Sequence, residues 1–275
     1  MKHLFFLLTL LCANLFSLQA QNKTAALLIT HYGSSDAETR TRTLDVITRE
    51  AQAAFPHLEV REAYISPIVR KRMARQGVHK DSPLEALLKL RAEGFDTVYV
   101  QSTTLIEGGE MASVRHDAAS VSQFFRKIEV GNPLLYSTAD CRKVISILTD
   151  NQPTGQNEAI VYIGHGNQLP STATYAMLDY MLKADGKNHI HVSTIEGYPD
   201  LTATTRQLKA SQARKVTLVP LLLVCGNHTK EDIAGTWKDA LEKEGYTVSV
   251  LMRGLGELRP IRSIFLEHIA DMLAD

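Results

Sequence analysis

Three side chains of this sequence could share one divalent cation. His165, Glu196 and His228 are separated by 31 and 32 residues, close to the ~30 residues of one strand–helix–strand unit. Each follows an apolar, β-rich run: His165 after Ile160–Ile163, Glu196 after Val192–Ile195, and His228 after Val216–Val224. A chain advancing one unit at a time returns to the same edge of a parallel sheet, so donors with this spacing can converge beyond the carboxyl ends of the strands. Two imidazoles and one carboxylate suit Co2+, Ni2+, Fe2+ or Zn2+, and no thiolate joins the set to favour a softer ion. Gly164, Gly166, Gly197 and Gly226 flank the three positions and let a flat ligand approach the backbone. Taken singly, each donor has an ordinary reading as a capped histidine or a helix-start glutamate; the common spacing is what makes them a site.

The elements that would carry these donors alternate regularly. Strands are expected over Ala25–Thr30, Leu58–Ile65, Thr97–Ile106, Ile128–Leu135, Ala159–Ile163, His189–Ile195, Lys215–Val224 and Thr247–Met252. Helical periodicity fills Leu44–Phe55, Pro83–Glu93, Met111–Lys127, Thr174–Ala184, Leu201–Gln212, Glu231–Glu244 and Arg259–Leu273. Such alternation predicts an α/β fold of parallel sheets with helices on both faces, and the nearly all-apolar strands agree with burial on both sides. The pattern runs twice. Ala25–Gly33 parallels Ala159–Asn167, aligning His31 with His165, and Glu62 and Glu196 both follow 31 residues later. Two similar doubly wound lobes, 21–150 and 151–275, are therefore expected, joined through the polar Asn151–Glu158 stretch and separated by a cleft. The second lobe carries the metal site, and His31 and Tyr32 would stand on the cleft wall of the first.

The chain has 275 residues, 30 Lys+Arg against 30 Asp+Glu, and 44% hydrophobic residues. This neutral balance argues against nucleic acid as a partner, which demands surplus cations. Three cysteines and no Cys-x-x-Cys pair exclude a disulfide framework or zinc knuckle. Residues 1–20 read as a secretory signal: Lys2 and His3, an apolar run from Leu4 to Leu18, and Ala20 at the cleavage point. That run is short for a transmembrane helix of ~20 residues, and no later stretch is apolar enough to span a bilayer. An exported protein, periplasmic or attached to the cell envelope, is expected. No feature selects an interface, so monomer and homo-oligomer both stay open.

Other motifs are weak. Leu169 stands where a dinucleotide fingerprint needs its third glycine, and no phosphate loop or Gly-x-Ser-x-Gly elbow occurs, so no nucleotide is expected. Arg70, Lys71, Arg72 and Arg75 form a basic helical face, read as solvated surface. A two-histidine, one-carboxylate oxygenase would share the ligand set, but its jelly-roll strand series is missing.

The sequence resembles the anaerobic cobaltochelatase family, the class II tetrapyrrole chelatases that metallate sirohydrochlorin. The resemblance covers nearly the whole chain after residue 20. It is most specific in Val161-Tyr-Ile-Gly-His165-Gly-Asn167, Ser193-Thr-Ile-Glu196-Gly-Tyr-Pro199 and Pro220-Leu-Leu-Leu-Val-Cys-Gly-Asn-His228. It continues in Ala63-Tyr-Ile-Ser66, the Asp81–Leu90 helix start, and Val100-Gln-Ser102 followed by Gly108-x-Glu110. The resemblance implies a bilobal ferrochelatase-like fold, with His165, Glu196 and His228 as metal ligands and His165 also the proton acceptor. It implies ATP-independent insertion of a divalent metal into a tetrapyrrole, Co2+ foremost with Fe2+ or Ni2+ as alternatives; His31, Tyr32 and Glu110 are the residues expected to contact the tetrapyrrole. The chain departs from the pattern at Thr104, where members usually carry His, at Met111, and at Thr30-His31-Tyr32-Gly33. The signal segment suggests a second possibility: an exported haem-binding or iron-removing protein on the same fold, with His31 or His165 as axial ligand to the haem iron.

Overall fold

The apolar runs become the strands of two parallel sheets. The computed structural model describes residues 25–150, 155, 157–226 and 229–274; the expected signal segment 1–20 and His228 lie outside the described residues. The first half contains β1 (Ala25–His31), α1 (Ala37–Arg42), α2 (Leu44–Ala54), β2 (Glu59–Tyr64), α3 (Pro67–Ala74), α4 (Pro83–Ala92), β3 (Thr97–Ser102), α5 (Gly109–Val121), β4 (Lys127–Val130) and α6 (Thr138–Thr149). The second contains β5 (Glu158–Gly166), α7 (Ala173–Ala184), β6 (Ile190–Glu196), α8 (Leu201–Ala210), β7 (Lys215–Pro220), a π-helical segment (Thr229–Trp237), α9 (Lys238–Lys243), β8 (Thr247–Val250) and α10 (Arg259–Ala274).

Strand order is β2-β1-β3-β4 in one sheet and β6-β5-β7-β8 in the other, all parallel. The same winding thus occurs twice, as the repeated sequence pattern requires. β1 and β5, central in their sheets, are buried along nearly their whole length, which is why they read as continuous apolar runs. Local signals set the helix starts. Ser82 and Glu85 form a capping box ahead of Pro83 on α4, and Ser137 and Asp140 do the same for α6.

Two connections differ from the expected plan. The run through Val224 leaves its sheet at Pro220; beyond it, Leu222 and Leu223 offer their carbonyls to the Leu255 and Gly256 amides. Those leucines are apolar because they pack against the cores, not because they form strand: Leu222 packs within the second lobe, and Leu223 touches clusters belonging to both. Likewise β3 stops at Ser102 and β4 at Val130.

The second difference is that the last helix of each half crosses over. α6 follows β4, yet Cys141, Val144, Ile145 and Leu148 pack with Ile160 and Tyr162 of β5. α10 sends Ile261, Ile264 and Phe265 into that same core, and Ile269 and Met272 into the first lobe beside Leu27 and Ile29. Arg262 binds Glu50 of α2 through two 2.8 Å contacts. The 150/151 division therefore separates the two sheets, while α6 belongs by packing to the second lobe.

Candidate metal centre

The ends of β5 and β6 are brought together by a glycine. Gly166 pairs with Glu196 in the parallel register and has φ +75°. A β-carbon there would lie 1.6 Å from the Glu196 carbonyl oxygen, so only glycine fits. In an unbroken pleat His165 and Glu196 would face opposite sides of the sheet; the positive φ of Gly166 breaks that alternation at the strand end. Both side chains are exposed there. His165 Nδ1 lies 3.1 Å from the Gly166 carbonyl. A carbonyl only accepts, so Nδ1 donates, and Nε2 carries the lone pair that a metal or proton would use.

Beneath this strand end lies Tyr175 of α7, which is buried. Its ring occupies the space a side chain at Gly164 would need, 2.2 Å from the position of such a β-carbon. Burial above all pushes its hydroxyl up to about 12, with Glu110 adding to the rise and the Gly166 amide opposing it, so the phenol stays protonated. Glu110, a first-lobe residue, comes near the second-lobe site by way of Gly108. A β-carbon at Gly108 would lie 3.1 Å from Asn167 Nδ2 and 3.5 Å from Glu110 Oε2. The loop after β3 therefore meets the loop after β5, and exposed Glu110 stands where the lobes touch.

The remaining expected residues separate. Tyr32, beyond β1, is half exposed, and its carbonyl accepts the Ser66 amide at 3.1 Å. Tyr198 after β6, Leu169 after β5 and Ile68 after β2 are also exposed. Apolar and aromatic groups are thus left open beyond four different strand ends, three on loops and Ile68 at the start of α3, a setting suited to a flat hydrophobic ligand. His31 corrects its expectation. It is fully buried, with Nδ1 at 2.9 Å from Thr103 Oγ1 and Nε2 at 3.2 Å from Thr48 Oγ1. Its ring meets Tyr64 edge-on. Burial first, and the Lys80 charge second, lower its pKa to about 3. His31 is a neutral core residue in this structure and presents no face to a tetrapyrrole or a haem iron.

Among the described residues no three His, Cys, Asp or Glu side chains close on a single point. The structure brings His165 and Glu196 to neighbouring strand ends, adds Glu110 nearby, and describes no position for His228. Nothing in the type or spacing of Tyr175 marks it, and Ser193 and Thr194 stand in the Ser193–Pro199 motif with no role that their types disclose.

The paired parallel α/β lobes give this chain the fold of the two-lobed chelatases. SirB from Bacillus subtilis with Fe3+ superimposes with a TM-score of 0.67 over 91% of this chain and 96% of that chain, at 15% identity. The sirohydrochlorin chelatase SirB from Bacillus subtilis subspecies spizizenii in complex with cobalt gives a TM-score of 0.58 over 90% and 94%, at 14% identity. The chain belongs to the cobalt chelatase (CbiK) family, whose model matches residues 25–274. It is 32% identical to the sirohydrochlorin cobaltochelatase of Salmonella typhimurium over 254 residues, 90% of this chain and 96% of that protein. Identity is also 32% to the sirohydrochlorin cobaltochelatase CbiKC of Nitratidesulfovibrio vulgaris, over 88% of each.

Proposed function

We propose that the protein is a tetrapyrrole metal chelatase that inserts Co2+ into sirohydrochlorin without a nucleotide. The observation that carries this reading is the placement of His165 and Glu196 on strand ends locked together at Gly166, in a chain of the cobalt chelatase family. Insertion removes two pyrrole N–H protons and puts one divalent ion in their place, so the products are the metallated ring and two protons. His165 Nε2 cannot hold a metal and a proton at once. It binds the incoming ion first; when the ion passes to the ring nitrogens, the vacated lone pair accepts a ring proton. Glu196 offsets the cation charge, and His228 is assigned as the third donor from its spacing and motif. Tyr32, Tyr198 and Leu169 supply apolar surface against which the macrocycle is held, turning a bimolecular encounter into an effectively unimolecular one.

The apolar run from Leu4 to Leu18 supports an exported protein and favours one second reading, in which the fold binds haem in metal uptake at the cell envelope. Loss of His31 as an open ligand leaves His165 as the axial donor in that case. A metallation assay of Co2+, Fe2+ and Ni2+ against sirohydrochlorin and protoporphyrin tests both. Turnover with Co2+ and sirohydrochlorin is expected. A Soret band on haem addition without turnover on any pair would overturn the chelatase reading in favour of the second.

A further inference from the structure

The acid at the end of β6 is anchored by a group of buried hydroxyls. Ser193 and Thr194, just before Glu196, have no exposed surface, and neither does Thr204 on α8. Past Glu196 the chain turns back, and the Pro199 carbonyl accepts the Thr194 amide at 2.7 Å, Thr194 Oγ1 at 3.0 Å and Ser193 Oγ at 2.8 Å. Thr204 Oγ1 donates to Ser193 Oγ at 2.8 Å. One strand–strand bond would close such a turn; here three donors hold one carbonyl, and Glu196 sits inside the closed segment.

Thr194 also touches the partner strand. It pairs with Gly164 in the register, and a β-carbon on Gly166 would come within 2.8 Å of its Cβ. The same residue therefore sits beside the strand that carries His165 and ties down the loop bearing Glu196 with its hydroxyl and amide. We infer that Thr194 is the positioning residue of the metal site, fixing the Glu196 carboxylate relative to His165 through the Pro199 carbonyl, with Ser193 and Thr204 supporting it. This role rests on the chelatase reading above. Thr194 does not reach the ion; it acts by holding a ligand, and loss of such outer support costs about 10- to 100-fold in metal affinity or activity.

Thr194→Val keeps the side-chain shape and removes the hydroxyl; Thr194→Ser keeps the hydroxyl. The full chain is titrated with Co2+ alone, reading the visible absorption of the bound ion, and then assayed for insertion into sirohydrochlorin. In Thr194→Val, Co2+ binding should weaken about 10-fold or more, with a shifted band and a raised KM for Co2+. The KM for sirohydrochlorin should be unchanged, and Thr194→Ser should restore wild-type values. Ser193→Ala removes the second hydroxyl from the same carbonyl, should change Co2+ binding in the same direction, and decides the matter if the valine variant does not fold. Wild-type Co2+ affinity and band in Ser193→Ala, and in any folded Thr194→Val, would overturn the positioning role alone, provided His165→Ala abolishes Co2+ binding. Should wild-type protein show no Co2+ binding that depends on His165, the chelatase reading fails and the positioning role falls with it.

Discussion

Gly166 stands so close to Glu196 that a β-carbon on the glycine would overlap the glutamate's carbonyl oxygen, at 1.6 Å. The overlap involves backbone, which cannot swing aside as a flexible side chain would, and φ at Gly166 is +75°. Gly166→Ala should therefore separate the ends of β5 and β6 and disable the site beyond any loss of stability. Chelatase turnover at a temperature where circular dichroism shows the variant folded is the measurement, and a drop of at least ~10-fold is expected.

His165 and Glu196 should separate kinetically. His165→Ala removes a metal donor and the proton acceptor together, and general-base assistance alone is worth about 10²–10⁴-fold. Glu196→Gln keeps the shape and one acceptor oxygen but removes the charge that offsets the ion. The glutamine variant should therefore show a raised KM for Co2+ that high metal concentration partly rescues, while His165→Ala stays inactive at any concentration. Steady-state kinetics over a Co2+ series distinguishes them.

The buried histidines give the fold an acid-side dependence. His31 is lowered to about 3 and His191 to about 4, in each case by burial first and then by a neighbouring lysine charge, Lys80 or Lys183. Both lie below the ordinary ~6.5 of an unfolded chain, so between those limits the unfolded state binds more protons. Stability then rises with pH across about 4 to 6.5 and is lost on acidification. Each such histidine contributes up to about 1.4 kcal/mol per pH unit in that window. Urea unfolding at pH 4.5, 5.5 and 6.5 should show this slope, and His31→Gln should reduce it by close to one proton.

How far the site was legible can be argued from the paired His and Glu positions. Both pairs, His31–Glu62 and His165–Glu196, are 31 residues apart, yet the strand registers differ. Partners across β1 and β2 are 33 residues apart, placing Glu62 opposite Ile29, two residues short of the histidine. Partners across β5 and β6 are 30 apart, placing Glu196 opposite Gly166, one residue past it. The acid is consequently mid-strand in one lobe and at the open edge in the other. Glu62 pairs with Lys80 there and lies 3.9 Å from His31. Spacing along the chain agrees with the neighbouring strand ends that His165 and Glu196 occupy, but could not show that the first pair was packed away, because register depends on turn lengths and sheet packing. Apolar periodicity similarly revealed the strands and most helices. It could not show which sheet α6 and α10 cover, since a buried stripe looks the same against either.

The crossing of those two helices predicts that the lobes unfold together. Ile269 on α10 packs in the first lobe with Leu27, Ile29 and Ile47, whereas Phe265, one turn earlier, packs in the second with Tyr162 and Leu221. Trp237, the single tryptophan of the chain, lies in a core cluster of the second lobe with Ile163, Leu218 and Ile233. Its fluorescence therefore reports on one lobe only, while far-ultraviolet circular dichroism reports on both. Ile269→Ala deletes buried carbons from the first lobe and should cost about 2–5 kcal/mol, as buried isoleucine truncations do. If α10 and α6 couple the lobes, the tryptophan transition must move by the same amount as the dichroism transition, although no mutated atom belongs to the tryptophan's cluster. Two separated transitions, with the tryptophan midpoint unmoved, would show that the crossing helices do not make the lobes one cooperative unit.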